Sequence, residues 1–439
     1  MGARETALNV LIACRQEKAW SNGVLKEYVV RDRLDSRDAA LAARLCYGVQ
    51  QNRNKLDFYL AQLLTGKLKD LHPVLRDILH IGLYQLFEMD KIPSSAAVNE
   101  SVTLAKKYCR RQKFAPGLTN AVLRNALRSA DTLKQPQTLE DRYSHPKVLI
   151  DLLRQSVGDA RLEPMLKANN TVPPMVVQVN TLRTSTEELI HKLKEENVTA
   201  VPHNWMPDCL VLSGTGNLEK LTAFREGLFY VQDPASKLAV LCAQIPKGEK
   251  LSLLDCCAAP GGKSFAAAIA SGGSAEITSC DIHRHKIDLI QSGAQRLGLD
   301  NIRALCQDAA ESRAEWLDKM DIVLADVPCS GYGIIRKKPD IREKDPKTME
   351  ELPDLQLQIL CCQANYVKPG GLLMYSTCTV LRRENGDVVQ RFLQQRSDFY
   401  LEDLPLPEGM TQDGRGMLTL IPGEYDTDGF FICRLRREE

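Results

Sequence analysis

The sequence predicts a chain of three domains: an all-helical front (residues 1–140), a small α+β unit (141–240) and an α/β domain with a doubly wound, Rossmann-like sheet (241–439). Three observations carry that prediction. The chain has 439 residues, well beyond one ordinary compact domain. Its first third spaces apolar residues as helices do. From about residue 250 onward, short apolar runs alternate with amphipathic stretches, the pattern of βαβ units around a parallel sheet.

In the front, "ETALNVLIA", "RDAALAARLCYGV", "VLRDILHIGLYQLFEM", "AVNESVTLAKKY" and "LTNAVLRNALRSA" each carry a stripe at i, i+3, i+4 and i+7. Asp35 or Ser36 is placed to cap the second of these helices, and Ser94 or Ser95, just after Pro93, the fourth. The cluster "KKYCRRQK" (106–113) sets five basic residues around a tyrosine, a composition that suits a phosphate backbone as well as a solvated helix end. Residues 131–145 read as a linker. The α+β unit then opens on a helical pair, followed by strands in "PPMVVQVNT", "CLVLSG" and "GLFYVQD", with helix "TEELIHKLKEEN" between the first two. In the last domain the strands are "LSLLDCCA", "AEITSCD", "NIRALCQD", "DIVLADV", "GGLLMYSTC" and "GFFICRLR". The helices are "KSFAAAIAS", "RHKIDLIQSGAQRLG" and "DLQLQILCCQANYV".

The net charge of +1 hides a gradient: residues 1–140 hold 22 Lys+Arg against 14 Asp+Glu, the remainder 35 against 42. A basic segment ahead of a mildly acidic one suggests a polyanion-binding front and a catalytic rear. Fourteen cysteines behind a start without the features of a secretory leader argue for reduced thiols in a cytoplasmic protein. No C-x-x-C spacing occurs, so no metal is expected. No run of ~18 apolar residues is present, so no membrane span is expected either.

In doubly wound sheets, ligands sit beyond the carboxyl ends of the strands, at the switch in strand order. The first strand leads into "CAAPGGK" (257–263), where glycines admit close backbone approach and the next helix offers free N–H groups. The second ends in Asp281, placed to hold a ribose diol, and the third in Asp308, placed to accept from an adenine amine. Asp326 and Cys329, in "DVPCSGYG", follow the fourth, and Cys378, in "STCT", the fifth. If the strand order is 3-2-1-4-5, the fourth and fifth strands are neighbours and both cysteines face one crevice. "APGGKS" fits neither G-x-G-x-x-G nor G-x-x-x-x-G-K-[ST]. An adenosine site with a ribose acid but no phosphate loop points to S-adenosylmethionine.

At "DCCAAPGGK", "ADVPCSG", "RKKPD" (336–340), "YSTCTV" and "DGFF" (428–431) the sequence resembles the RNA cytosine-C5 methyltransferases of the NOL/NOP2/Sun family. The front is similar to the RNA-binding domain of antitermination factor NusB, best at "GLTNAVLRNALR". The middle unit, with "FYVQDPAS" (229–236), is similar to the family's RNA-recognition-like subdomain. The resemblance implies a class I S-adenosylmethionine-dependent methyltransferase domain. Its cofactor loop falls on Cys257, Ala258, Ala259, Pro260, Gly261, Gly262 and Lys263, its ribose acid on Asp281 and its adenine contact on Asp308. Asp326 lies at both cofactor and cytosine, as the activating acid; Cys378 corresponds to the nucleophile and Cys329 to the residue of product release. The implied reaction is methylation of carbon 5 of one cytosine in 16S ribosomal RNA, cytosine 967, on free RNA or an early small subunit, by a monomer. Two positions depart from the pattern: Lys286 stands where the family has arginine, and Gly386 where an acid commonly follows the pair Glu384–Asn385. The shared motifs also fit a transfer-RNA cytosine methyltransferase, and the fold alone a non-catalytic RNA-binding or ribosome-assembly protein.

The chemistry explains a need for two thiols. Carbon 5 of cytosine is too weak a nucleophile to take a sulfonium methyl unaided. A thiolate adding at carbon 6 makes carbon 5 enamine-like, dividing one hard step into easier ones. A base must afterwards remove the carbon-5 proton so that the nucleophile can leave.

Overall fold

The computed structural model describes residues 1–17 and 20–439. Its contacts divide into two compact units, one of residues 1–152, 166–171 and 335–344, the other of 153–165, 172–334 and 345–439.

The first unit is helical: α1 (Ala3–Glu17), α2 (Ser21–Arg31), α3 (Ser36–Gln51), α4 (Arg53–Leu63), α5 (Pro73–Glu88), α6 (Ser94–Tyr108), α7 (Ala115–Ser129) and the short α8 (Leu139–Tyr143). The five stripes of the sequence are α1, α3, α5, α6 and α7. Sequence reading singled out neither α2, which buries only Ser21 and Leu25, nor α4, which follows α3 after the single residue Asn52. The core gathers on α5, whose Leu75, Ile78, Leu79, Ile81 and Leu83 are wholly buried. Gly48 on α3 admits the Tyr84 ring so closely that an added Cβ would lie 2.0 Å from it. Asp35 caps α3, accepting from the Asp38 amide at 2.7 Å. At α6 the expected serine cap is absent: Pro93 occupies the capping position with an extended backbone, Ser94 is already helical, and no side chain caps the end. Nor are residues 131–145 a bare linker. Thr138 caps α8, Ser144 takes a left-handed backbone, and Ser144 and His145 are buried.

Residues 335–344, remote in sequence, belong to this helical unit. Arg342, only 1% exposed, donates to the carbonyls of Gln51 (2.8 Å) and Ser144 (3.0 Å) and to Asn170 Oδ1 (3.1 Å). Asp340 accepts from Gln50 Nε2 at 2.9 Å and from the Ser21 amide and hydroxyl.

Helices α9 (Lys147–Val157) and α10 (Asp159–Ala168) precede an antiparallel sheet of order β2-β3-β1-β4, built from β1 (Met175–Val179), β2 (Thr199–Pro202), β3 (Cys209–Ser213) and β4 (Phe229–Val231). The exposed edge strand β2 carries too little apolar alternation to be seen in the sequence. Helix α11 (Thr186–Glu195) starts on a capping box of Ser185 and Glu188; α12 (Thr222–Arg225) and α13 (Pro234–Leu241) flank β4.

An eight-stranded sheet follows, from β5 (Ser252–Asp255), α14 (Gly262–Ala270), β6 (Glu276–Asp281), α15 (Arg284–Leu297), β7 (Ile302–Cys306), β8 (Met320–Asp326), α16 (Leu352–Ala364), β9 (Val367–Thr377), α17 (Gly386–Gln395), β10 (Phe399–Leu401), β11 (Met417–Leu420) and β12 (Phe430–Arg437). Its order is β10-β12-β9-β8-β5-β6-β7, with β11 paired to β12. From β7 to β9 the strands are parallel in the expected 3-2-1-4-5 order. Beyond them the sheet turns antiparallel, with β12 returning between β9 and β10. The run "GFFICRLR" signals a buried strand but not its direction. The ends of β5, β8 and β9 thus lie side by side, with Asp326 opposite Ser376. Among the described residues, no helix is long and apolar enough to cross a membrane.

Candidate active site

The loop after β5 is pinned before it reaches α14: the Ala258 amide donates to the Cys280 carbonyl and the Gly261 amide to the Ala258 carbonyl, both at 2.7 Å. Gly261 sits at φ +110°, where an added Cβ would stand 2.4 Å from the Phe265 ring. At Gly262 the Gln232 amide fills the space of a side chain, 3.2 Å away. Behind the loop, the Ser279 hydroxyl donates to Ser264, and Ser264 to Asp255 Oδ2, each at 2.7 Å. Full burial pushes the Asp255 carboxyl up to about 6. The two adjacent cysteines of "DCCAAPGGK" differ: Cys256 is buried in the core, while Cys257 is half-buried beside it.

Asp281 ends β6, its Oδ1 accepting from the His283 amide at 3.0 Å. Lys286 Nζ lies 3.5 Å from the same oxygen, so lysine in place of arginine keeps an ion pair with this acid. Asp308, half-buried past the end of β7, accepts from the Ala310 amide at 2.8 Å. Asp326 is held on both oxygens: Lys263 donates to Oδ2 at 2.7 Å and the Ser376 hydroxyl to Oδ1 at 2.8 Å. The Lys263 ammonium also donates to Ser236 Oγ at 2.9 Å and lies 4.9 Å from the centre of the Phe430 ring. Lys263 therefore belongs to the loop after β5 by backbone and to Asp326 by side chain.

The two cysteines come together, Cys329 Sγ and Cys378 Sγ being 3.2 Å apart. Its hydrogen bond with Cys378, then burial, pushes the Cys329 thiol well above its ordinary range, with the charges of Glu384 and Asp326 adding to the rise. The backbone locks the pair: the Gly333 amide donates to the Cys378 carbonyl (3.0 Å) and the Gly429 amide to the Gly333 carbonyl (2.8 Å). A Cβ on Gly333 would lie 2.0 Å from the Gly429 carbonyl oxygen, and one on Gly429, the glycine in "DGFF", would lie 2.7 Å from the Gly333 Cα, so neither position admits a side chain. The segment "RKKPD" is not gathered here; it lies in the helical unit.

Sequence reading missed Ser236, Ser376 and Phe430 as parts of the site, although each stood inside a quoted motif. For Ser376 a signal existed, since it stands at the carboxyl end of its strand, where ligands of such sheets sit.

The 16S rRNA methyltransferase RsmB/F family model matches residues 243–436, the NusB family residues 1–128, and the ferredoxin-like domain of RsmF/B-like methyltransferases residues 145–219. The probable ribosomal RNA small subunit methyltransferase B of Bacillus subtilis is 34% identical, covering 99% of this chain and 98% of its own. The ribosomal RNA small subunit methyltransferase B of Vibrio cholerae is 34% identical over 92% and 90%. Among solved structures, PH0851 matches with TM-score 0.80 at 24% identity, over 100% of this chain and 99% of its own. NSun6 from Pyrococcus horikoshii, crystallised with SFG, matches with TM-score 0.58 at 21% identity, over 67% and 98%. These two likenesses concern the fold. The family models and the full-length identity to curated relatives agree that this chain belongs to the ribosomal RNA small subunit methyltransferase B family.

Proposed function

We propose that this methyltransferase acts on carbon 5 of one cytosine in 16S ribosomal RNA, the resemblance pointing to cytosine 967, through a covalent bond between Cys378 and carbon 6. The observation that carries this reading is the sulfur pair, 3.2 Å apart at the ends of neighbouring strands and next to a carboxylate held by a buried cation. In this reading the proton of the pair stays on Cys329, whose thiol is pushed up, and the Cys378 sulfur is the attacking atom.

As the S–C6 bond forms, cytosine N3 takes a proton from the Asp326–Lys263 pair, which holds one across its 2.7 Å contact. The bare loop at Gly261 and Gly262, with Asp281 and Asp308 at the next strand ends, fits S-adenosylmethionine, which supplies an electrophilic sulfonium methyl. Once the Cys378 sulfur is bonded to carbon, the half-buried Cys329 has lost its acceptor and releases its proton to water. Its thiolate then removes the carbon-5 proton, the S–C6 bond breaks, and N3 returns its proton to Asp326 and Lys263. One proton is released per methyl transferred, as the overall reaction requires.

The helical unit supplies a basic face. Lys106, Arg110, Arg111 and Lys113 are exposed, whereas Lys107 pairs with Glu5 and Cys109 is buried. Such a face fits phosphate contacts that set register without reading sequence. The proposed setting is a cytoplasmic monomer on free 16S RNA or an early small subunit.

Cys378→Ala is expected to abolish methyl transfer while retaining S-adenosylmethionine binding. Cys329→Ala is expected to accumulate a denaturant-resistant protein–RNA band under turnover. Transfer by Cys378→Ala, or no band with Cys329→Ala, overturns the assignment. Bisulfite sequencing of 16S RNA from cells with and without the protein identifies the nucleotide.

A further inference from the structure

We propose that the adjacent residues Glu384 and Asn385 position the two sulfurs, one residue for each cysteine. The inference rests on the reading of Cys378 as nucleophile and Cys329 as release base, and goes beyond it to ask what sets their spacing.

Both residues are buried, Glu384 completely, between the turn Arg382–Glu384 and the start of α17. Neither is hydrogen-bonded to a sulfur; Asn385 grips the residues on both sides of Cys378, and Glu384 grips one side of Cys329 directly and the other through Gln356. Asn385 Oδ1 accepts from the Thr377 hydroxyl at 2.6 Å, and Asn385 Nδ2 donates to the Thr379 carbonyl at 3.0 Å, bracketing Cys378. Glu384 Oε2 accepts from the Ser330 amide at 2.8 Å, just after Cys329. Just before it, the Pro328 carbonyl accepts at 2.9 Å from Gln356 Nε2 of α16, which also donates to Glu384 Oε2 at 3.0 Å. A cross-link joins the two turns, the Ser330 hydroxyl donating to Thr379 Oγ1 at 2.9 Å. Glu384 itself is fixed from β9 by the Tyr375 hydroxyl, which donates to its carbonyl at 2.6 Å.

Consecutive residues of one backbone therefore serve as the common reference for two turns on different strands. Their separation cannot change by more than that dipeptide allows. The cost argues for function over packing. Among the described residues Glu384 has no cationic partner, and its Oε1 is buried without a hydrogen bond. A carboxylate so placed is expensive, and an apolar residue of similar volume would fill the space more stably. What the carboxylate provides is a strong acceptor for two donors that fix the peptide groups around Cys329. Gly386, the position that departs from the family pattern, is the first residue of α17, and a Cβ there would meet nothing within 4 Å. The missing acid thus lies outside the clamp.

The test measures first-turnover methyl transfer and the fraction of protein trapped as a denaturant-resistant RNA adduct, in the full-length protein with Cys329→Ala and Cys378→Ala alongside. Asn385→Ala is expected to slow first-turnover transfer by about tenfold or more and to trap no adduct. Glu384→Ala is expected to trap about tenfold more adduct and slow multiple turnover, with a smaller loss in the first turnover. Glu384→Gln, which keeps an acceptor for the Ser330 amide, returns trapping toward that of the unaltered protein. Should loss of a buried group unfold the chain, Gln356→Leu probes the Cys329 clamp from α16 and Thr377→Val the Cys378 clamp from β9, with the same divided outcome. Variants that change both quantities alike, or neither, overturn the proposal. If Cys329→Ala traps nothing or Cys378→Ala still transfers, the underlying assignment has failed instead.

Discussion

Arg342 in the helical unit and Lys263 in the other are both buried cations, and the two are kept in different company. In the helical unit, Arg342 donates among the described residues only to neutral acceptors, the carbonyls of Gln51, Tyr143 and Ser144 and the amide oxygen of Asn170; burial lowers its pKa to about 10. In the other unit, Lys263 faces a carboxylate, a hydroxyl and an aromatic ring. Carbonyls cannot take up a proton at ordinary pH, so Arg342 is a clasp, and its planar fork suits several fixed acceptors at once. A carboxylate and an ammonium can share one, so Lys263 is equipped for chemistry as well as for structure.

Substituting each cation tests that distinction most sharply. Lys263→Met is expected to cut methyl transfer by about a thousandfold, the scale for removing a charge-stabilising donor from an active site, with little change in thermal midpoint. Arg342→Met is expected to do the reverse. It strips the donor from four acceptors and costs about 3 kcal/mol in urea unfolding, while the molecules that remain folded transfer methyl at the unaltered rate. A stable but inactive Arg342→Met would erase the difference between the two cations.

A second contrast concerns pH. Burial raises Asp255 to about 6 in the sheet-bearing unit, whereas burial lowers the imidazole of His145 well below its usual value in the helical unit, helped by the charge of Arg342. The signs are opposite. For Asp255 the folded state holds its proton more tightly. Its contribution is complete below the ordinary carboxylate pKa near ~4 and is lost as pH rises through about 6, roughly 3 kcal/mol in all. For His145 the folded state resists protonation. Its contribution is present above the ordinary imidazole pKa near ~6.5 and is lost as pH falls below it. Denaturation at several pH values checks both. Asp255→Asn should gain on the unaltered protein between pH ~4 and ~7, and His145→Gln should gain on it as the solution becomes acid. Parallel pH curves for a variant and the unaltered protein would refute the corresponding assignment.

The smallest effect is expected at Gly386. Gly386→Asp restores an acid at the open first turn of α17, away from the residues that hold the cysteines. A gain of about 0.3–1 kcal/mol from the helix dipole is expected, with methyl transfer within about twofold. A large change in transfer would place that position inside the clamp after all.

Much of this was legible in the sequence. The alternation of strands and helices is a local signal for a parallel sheet, and on the condition of a 3-2-1-4-5 order it put Asp326, Cys329 and Cys378 at adjoining strand ends. What stayed hidden depends on partners far apart in the chain. The direction of β12 is set by its pairing with β9, which an apolar run does not encode. The partner of the Lys263 side chain follows from β8 standing beside β5, not from the glycines around it. Glu384 and Asn385 stand in the sequence as a pair of the family pattern with no role attached, because their burial is created by turns some fifty residues upstream and by α16. Pro93 displaced the expected serine cap because an extended entry needs no donor there, and proline supplies that backbone unaided.

Arg342 also bears on the order of events in synthesis. It lies 198 positions after Ser144, whose carbonyl it holds, and 291 after Gln51. A nascent chain that has finished α1 to α8 still lacks the guanidinium that satisfies these carbonyls and the carboxylate that meets Gln50 and Ser21. The helical unit is thus first in sequence but not first to be complete. Its last stabilising contacts arrive only after most of the parallel sheet has been made, so cutting the chain after residue 140 yields a fragment rather than a finished module.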